Sequence, residues 1–402
     1  MLSAAQARQT VLETMGAFAV QAVPLEKANG RILRQAVVAE RDQPPFDRVT
    51  MDGIAINYAD YADGRRQFSM AHTQHAGDPV RSVDGTGACA EVMTGAVLPD
   101  GTDTVIPVEQ IEVNDNQAIL ANDYVPQSGQ FVHRRGSDHV KGTEVLSSGQ
   151  VIRPADVAVL ASCGLESVDV AATPTVRIIS TGNELIPAGQ PIEDHQIRLS
   201  NGPAMAAMLE DGGFTRSTTD HLPDNPEELE TRIGTHLAEA DVLILSGGVS
   251  MGKADFVPEI LHRLGVSKVF HKIRQRPGKP LWFGKGPKGQ AVFALPGNPV
   301  SALVCCRQYV LPALRSASGC PPEAPFTVSL GEDVYFMPAL TRFLPVRLGF
   351  DDDGRISALP SPTNTSGDFT ALSGTDGYVE MEADVVEFPR GTLLPFHAWD
   401  RP

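Results

Sequence analysis

Apolar and polar positions divide the chain into stretches of different character. Between residues 174 and 318, short apolar runs alternate with segments of helical period. Residues 175–180 (Thr-Val-Arg-Ile-Ile-Ser) and 241–245 (Asp-Val-Leu-Ile-Leu) read as strands. Apolar residues at successive positions mark a strand buried on both faces, as in a parallel sheet. A helix is predicted over 201–211, with Ser200 or Asn201 as its N-cap and Gly212-Gly213 as its stop. A second opens in residues 223–229, where prolines and acids suit a first turn. A helix from about Asp255 to Leu264, a strand over 267–273, an apolar run into 296–299 and a helix to about Ser316 complete the series. Strands alternating with helices predict a doubly wound, largely parallel α/β domain.

The flanking regions follow other patterns. Near the N-terminus one amphipathic helix is predicted, with Ser3 as a possible N-cap, followed by a strand-like stretch over 32–39. From 54 to about 135, short strands such as 104–107 alternate with turns and no long helix is predicted, which reads as a mostly β domain. A helix is predicted after Arg153, with Pro154 in its first turn. Short alternating runs after Cys320-Pro321-Pro322 read as a small C-terminal β domain. The expected organisation is multidomain α/β plus β. It has a discontinuous linker domain (1–42 and 137–173), a mostly β insertion domain (43–136), the α/β domain (174–318) and a C-terminal β domain (319–402).

Composition supports several domains and excludes some functions. The 402 residues exceed one typical core. A formal net charge of −16 argues against a general nucleic-acid surface, so an anionic ligand needs a local basic patch. Five cysteines, with no C-x-x-C pair, predict a reduced cytoplasmic protein, and Cys305-Cys306 fall in a helix as core. No run approaches a membrane span, and Met1 to Val20 lacks the pattern of a secretory signal.

Candidate chemistry gathers in the loops after the α/β strands. Ser246-Gly247-Gly248-Val249-Ser250 follows strand 241–245 directly. Adjacent glycines let backbone N–H groups face an anion, and the Ser246 and Ser250 hydroxyls add donors. An ordinary tight turn, with Asp255 capping a helix, is the alternative. Gln275-Arg276-Pro277-Gly278-Lys279-Pro280 sets two cations around a stiff turn, one suited to bidentate and one to point-charge contact with phosphate. Pro296-Gly297-Asn298-Pro299 precedes a helix N-terminus, a good anion seat that is also simply a good turn. Loops 180–184, 246–255, 274–279 and 296–299 are all expected beyond the carboxyl ends of the strands, where such sheets bind ligands. Glu184 and Asp255 belong to that edge, with Asp224 near it. Acids beside phosphate loops imply an intervening divalent cation, best Mg²⁺. There is no zinc-ligand spacing, and His221 and His271 are read as surface or packing residues. In the β insertion, Asp52-Gly53 has a turn reading, and His133-Arg134-Arg135 with Asp138 suits either a solvated face or an anion.

Seven motifs occur in order: Met-Asp-Gly (51–53), Met-Thr-Gly (93–95), Arg-Arg-Gly-Ser-Asp (134–138), Ser-Thr-Gly-Asn-Glu-Leu (180–185), Ser-Gly-Gly-Val-Ser-Met-Gly-Lys-Ala-Asp (246–255), Pro-Gly-Lys-Pro (277–280) and Pro-Gly-Asn-Pro-Val-Ser (296–301). Together they resemble the molybdopterin molybdenumtransferase family, bacterial MoeA and the E domain of gephyrin, over essentially the whole chain. The resemblance implies Mg²⁺-dependent insertion of molybdate into adenylylated molybdopterin with release of AMP. It implies a homodimer with the active cleft at the subunit interface, between the α/β domain of one subunit and the Asp52-bearing β domain of the other. Molybdopterin adenylyltransferase and molybdoenzyme chaperones are the further partners implied, with no nucleic acid and no membrane. Asp52, Thr94, Asp138, Glu184, Asp224 and Asp255 match family positions tied to activity, with Glu184 and Asp255 as the metal candidates. Arg276 and Lys279 match a basic pair near the phosphates or the oxyanion, and Arg347 and Ser366 match positions in the C-terminal domain. Ile54 replaces the usual tyrosine, Arg48 and Thr50 depart from the common residues before Met-Asp-Gly, and Arg276 stands where lysine is common. Alternative functions are a binding or scaffold paralogue and a molybdopterin adenylyltransferase.

Overall fold

The computed structural model describes residues 1–248, 256–323, 325–351, 353–361, 365 and 367–399. By contacts the chain forms two compact units, one of residues 1–35, 148–153 and 167–402, the other of residues 36–147 and 154–166. Among the described residues no helix is long and apolar enough to cross a membrane. All five cysteines are free thiols. Burial pushes the Cys89 and Cys306 thiols up to about 12, so both are inert core residues.

The smaller unit is built on a six-stranded sheet, in the order Thr104–Pro107, Gly53–Ile56, Ala88–Val92, Gln67–Gln74, Gln117–Leu120 and Ile111–Asn114. Side chains alternate across it. Ile54, Ile56 and Ile106 enter one apolar cluster, while Ala55 and Val105 enter the cluster on the other face. Asp52-Gly53 is therefore not a hairpin turn. Gly53 opens a central strand, and a Cβ there would collide with the Ile106 carbonyl. The helix predicted after Arg153 runs Pro154–Ser162.

The larger unit contains the predicted α/β sheet. Its strand order is Ser217–Leu222, Val176–Thr181, Val242–Ser246, Ala291–Leu295, Trp282–Lys285 and Ser267–His271, with the first four parallel. Val242 and Ile244 pack into one core and Leu243 and Leu245 into the opposite one, which explains the unbroken apolar run. Helix Asn201–Asp211 covers the first face through Met205 and Leu209. Helix Pro226–Glu239, capped by Asn225, covers the second through Leu229, Ile233 and Leu237. Helix Ala4–Thr14 carries a full capping box, in which Ser3 Oγ accepts from the Gln6 amide and the Gln6 side chain accepts from the Ser3 amide.

One expectation fails in an informative way. The run 267–273 is not one strand: Lys272 adopts a φ of +68° and splits it. Ser267–His271 stays in the α/β sheet, whereas Ile273–Arg276 joins a second, seven-stranded sheet. There it pairs in parallel with Leu2–Ser3 and with Thr341–Phe350. Five strands of that sheet close on themselves, because Thr341–Phe350 pairs with both Ile356–Pro360 and Gly377–Met381. The C-terminal β region is thus a small barrel, filled by Val328, Leu344, Val346, Val379 and Phe396. A strand from the α/β part extends its wall.

A partly buried ion network ties the N-terminal helix to this barrel. Glu380 accepts from Arg8 at 2.9 Å and from His397 Nε2 at 3.0 Å. Burial works to raise the Glu380 pKa, but the bonds and charges of His397 and Arg8 outweigh it and the net shift is downward. A carboxyl whose folded pKa is lowered contributes stability above its unfolded pKa and loses it as pH falls through the folded value. Glu380→Gln is therefore expected to cost about 2 kcal/mol at pH 7, the range for a charged hydrogen bond at a partly buried site. The gap from wild type should shrink as pH falls below the ordinary glutamate value of 4.5. Urea melts at pH 7 and in the acid range check this, and a pH-independent gap would remove the assignment.

Candidate functional site

A cleft of about 800 Å³ opens at the carboxyl ends of the parallel strands of the larger unit. It is lined by 180–182 and Glu184, Asn201, Asp224, 246–248 and 296–299, as the strand-edge rule anticipates. Gly247 sits at φ +102°, and a Cβ on it would stand 2.6 Å from the Thr181 carbonyl oxygen, so the loop needs glycine there. Glu184 folds back over Gly182, where a Cβ would stand 2.6 Å from its carboxylate. The Asp224 amide donates to Asn183 Oδ1 at 3.0 Å, joining both acid-bearing loops.

Behind these loops lies a support that the sequence reading missed. His221 donates from Nε2 to the Gly182 carbonyl at 2.8 Å, since that oxygen can only accept. Its amide donates to Asp220, whose other oxygen accepts from Arg232 and His236, both at 2.6 Å. Burial opposes ionisation of Asp220, but the bonds from His236 and the His221 amide, with the charge of Arg232, prevail and lower its pKa. His221 is a packing histidine, as expected, but it packs on a cleft loop.

Ser200, not Asn201, is the N-cap residue of helix Asn201–Asp211, and the Asn201 side chain serves the cleft loops. Its Nδ2 donates to Ser246 Oγ at 2.8 Å and to the Gly297 carbonyl at 2.7 Å. Gly297 O accepts only, which fixes the amide orientation. The strand-edge loops 246–248 and 296–299 are thereby tied through one side chain. Ser246 does not offer the ligand-facing donor that its place in the loop predicts. Its hydroxyl is buried, accepts from Asn201 and points to the Pro296 carbonyl at 3.5 Å, because Ser246 is an interior strand residue. Ser180 Oγ, Thr181 Oγ1 and Asn201 Oδ1 are buried around the cleft with no hydrogen-bond partner among the described residues. Asn201→Ala is expected to cost about 1–2 kcal/mol, since Ser246 and Gly297 lose their shared donor. Asn201→Asp, isosteric but facing a carbonyl with an acceptor, is expected to cost more. Chemical denaturation of the two variants checks the order.

A second pocket, of about 530 Å³, adjoins the cleft and shares Pro280, Pro296 and Asn298 with it. It takes the 275–279 loop, which the strand switch at Lys272 carries to the barrel and away from the α/β edge where it was expected. Arg276, Lys279 and Arg342 line it beside Ser301 and Tyr335. None of the three cations has an ion-pair partner among the described residues. Burial, and then the charge of Arg276, lower the Arg342 pKa. Arg276 and Lys279 are exposed and Arg342 is half-buried, so the three hold a positive field at the pocket mouth that an entering anion would meet.

The other predicted residues are placed as follows. Arg347 lies on the same strand as Arg342 but five residues on, an odd offset that puts it on the opposite face, near Gly374 and outside both pockets. Ser250, Asp255 and Ser366 lie outside the described residues. In the smaller unit, Asp52 Oδ1 accepts from the Thr94 amide at 2.6 Å and the Thr94 hydroxyl at 2.7 Å. These bonds, the hydroxyl's first, hold the Asp52 carboxyl below the usual carboxylate range. Asp138 accepts from His133 Nε2 at 3.0 Å, while His133 Nδ1 accepts from Arg48 at 3.1 Å, which sets the tautomer. Arg134 and Arg135 pair with Asp47 and Asp42, so most of this basic spot is neutralised within its own unit. Among the described residues no group of three or more His, Cys, Asp or Glu is placed to hold a metal.

A doubly wound sheet with a glycine-built cleft, joined to a cationic pocket against a small barrel, defines a multidomain α/β plus β protein with a cleft at its strand ends. Family models make this specific. The MoeA N-terminal region (domain I and II) matches residues 2–164, the probable molybdopterin binding domain residues 177–316, and the MoeA C-terminal region (domain IV) residues 327–399. A molybdopterin molybdenumtransferase of Synechocystis is 38% identical over 99% of this chain and 100% of its own. Molybdopterin molybdenumtransferase 2 of Mycobacterium tuberculosis is 31% identical over 100% of both. The crystal structure of a molybdopterin biosynthesis MoeA protein from Pyrococcus horikoshii superposes with a TM-score of 0.84 at 29% identity, covering 100% of both chains. The chain belongs to the molybdopterin molybdenumtransferase (MoeA) family.

Proposed function

We propose that this protein inserts molybdate into adenylylated molybdopterin and releases AMP. The observation that carries the reading is the pairing of two adjoining cavities of opposite character. The larger one has a glycine-built floor and the carboxylates Glu184 and Asp224, and the smaller holds three cations with no ion-pair partner among the described residues. The reaction needs this combination, because a phosphoanhydride-linked dithiolene and a tetrahedral oxyanion repel each other.

In this reading the larger cleft takes the adenylylated pterin and the cationic pocket takes molybdate. An oxygen nucleophile, either water or a molybdate oxygen, attacks the adenylyl phosphorus. The anhydride P–O bond breaks with its electron pair going to the molybdopterin phosphate, and AMP leaves carrying the nucleophile's oxygen. The two dithiolene thiols give up their protons and bind molybdenum as one molybdate oxygen departs, as water or, where it was the nucleophile, on AMP. No protein nucleophile is required, so positioning and charge neutralisation supply the catalysis. The oxygen-only donor set of Glu184 and Asp224, with Asp255 beyond the described residues, fits a hard cation that keeps waters and substrate phosphates as ligands. Mg²⁺ held there would polarise the phosphoanhydride as a Lewis acid. Arg276 and Lys279 orient the oxyanion, Gly247 and Gly248 offer backbone donors, and Asn201 keeps the two loops in register.

The reading includes the four-domain division 1–42 with 137–173, 43–136, 174–318 and 319–402. It also includes a cytoplasmic homodimer whose cleft is completed by Asp52, Thr94 and Asp138 of the partner subunit. Release of AMP from adenylylated molybdopterin, with molybdate and Mg²⁺ each supplied or omitted, tests it. Release that needs both supports the transferase. A folded protein that binds the pterin without releasing AMP is a binding or scaffold member, and ATP consumption with unmodified molybdopterin indicates an adenylyltransferase.

A further inference from the structure

The cations of the smaller pocket stand on a turn whose shape is set from inside the protein. Gln275, wholly buried, directly precedes Arg276. Its Nε2 donates to the Pro277 carbonyl at 2.8 Å and lies 3.6 Å from Cys305 Sγ. Because the Pro277 oxygen only accepts, the amide orientation is fixed, and Oε1 is left to accept from the Tyr309 hydroxyl. The Cys305 thiol lies 3.8 Å from the Gly278 carbonyl. Gly278, at φ +91°, has no room for a Cβ against Cys305 and Gln275. The Ile273 amide donates to the Lys279 carbonyl at 2.9 Å and closes the turn.

Tyr309 is delivered by an irregularity of the helix. Cys306–Val310 is a π-helical turn between helices Pro299–Cys305 and Leu311–Ala317. The wider turn directs Arg307, Gln308 and Tyr309, three successive polar residues, into the interior at 4%, 2% and 1% exposure. Such turns recur at functional sites. Arg307 donates to the Ala398 carbonyl at 2.6 Å and pairs with Glu323 at 3.1 Å, anchoring the turn.

We propose that Gln275 and Tyr309 are positioning residues for the oxyanion pocket. Their relay fixes the 276–279 turn so that Arg276 and Lys279 converge on one anion. Two like charges on an unconstrained turn would splay apart and have to be gathered on each binding event. A turn held by a satisfied buried network carries no such reorganisation cost. The proposal rests on reading this pocket as the seat of the oxyanion, so its test separates the two.

Tungstate alone, a tetrahedral oxyanion probe, is titrated calorimetrically into wild type, Gln275→Leu and Tyr309→Phe. Steady-state KM values for molybdate and for adenylylated molybdopterin are measured in parallel. Gln275→Leu is expected to weaken tungstate binding about tenfold, because a displacement near 1 Å in a charged site has effects of this order or larger. Tyr309→Phe should weaken it severalfold. The molybdate KM should rise with both, and the pterin KM should not change. In an Arg276→Ala, Lys279→Ala background, Gln275→Leu should add nothing, since its effect runs through those cations. A lowered Tm with tungstate affinity unchanged would overturn the proposal, as would a full further loss in that background. If Gln275→Leu does not fold, Tyr309→Phe, which removes one hydroxyl, decides alone. Failure of the wild-type protein to bind tungstate removes the oxyanion reading itself, and the proposal with it.

Discussion

An Arg276→Ala, Lys279→Ala double variant is expected to fold normally and to lose about a thousandfold in kcat/KM for molybdate. The magnitude follows from two charge-assisted contacts to a partly desolvated oxyanion, at about 2 kcal/mol each, with about 1.4 kcal/mol per factor of ten. The fold should tolerate the change. Both side chains are exposed and neither has an ion-pair partner among the described residues, so no buried charge is orphaned. Their removal also relieves Arg342, whose pKa is lowered by burial and then by the charge of Arg276. Steady-state kinetics with each substrate varied in turn gives the answer. A loss confined to the molybdate terms supports the oxyanion seat. A loss carried by the pterin KM moves the cations to the substrate's phosphates, and unchanged kinetics takes them out of the site.

The second large effect tests the proposed sharing of the site between two subunits. Asp52→Asn and Glu184→Gln are each expected to be folded and inactive as pure preparations. Asparagine at 52 can still accept from the Thr94 amide and hydroxyl while losing the charge, so the local structure survives. Glutamine at 184 is isosteric with the glutamate that folds over Gly182. Mixed in equal amounts and allowed to exchange subunits, the two variants should recover about a quarter of wild-type activity. Half of the dimers are then heterodimers with one intact site of two, by the statistics of two-fold assembly. A mixture that exchanges subunits and stays inactive would place Asp52 and Glu184 in one chain's site, or put one of them outside catalysis.

Much of this architecture is local information and was legible in residue order. The strand Val242–Ser246 declares itself by an unbroken apolar run over 242–245, and Val176–Thr181 by the adjacent pair Ile178-Ile179, because both faces of the sheet are covered. The Ser3, Asn225 and Pro226 signals mark helix starts because capping is decided within one turn. The glycine loops at 182 and 247–248 follow from backbone conformations that side chains disfavour. The cleft at the strand ends then follows from the alternation of elements alone.

Tertiary structure decided the rest. Residues 267–273 read as one strand, yet the chain breaks at Lys272 and hands Ile273–Arg276 to another sheet. Periodicity encodes which face a residue takes and not which strand it will pair with. The same limit hid Arg342 behind Arg347, whose difference is one of face and of distant neighbours. It hid the neutralisation of Arg134 and Arg135 by Asp47 and Asp42, residues far away in sequence. Asn201 and Gln275 show the point most directly. Each is an ordinary amide in sequence, and each works through partners tens of residues distant, Ser246 and Gly297 for one and Tyr309 for the other. The chain order of this protein determines its elements, its caps and its anion-suited loops, because those depend on neighbours within a few residues. Which loops share a cavity, and which charges remain unpaired there, depends on contacts between distant segments, and only the folded chain supplies those.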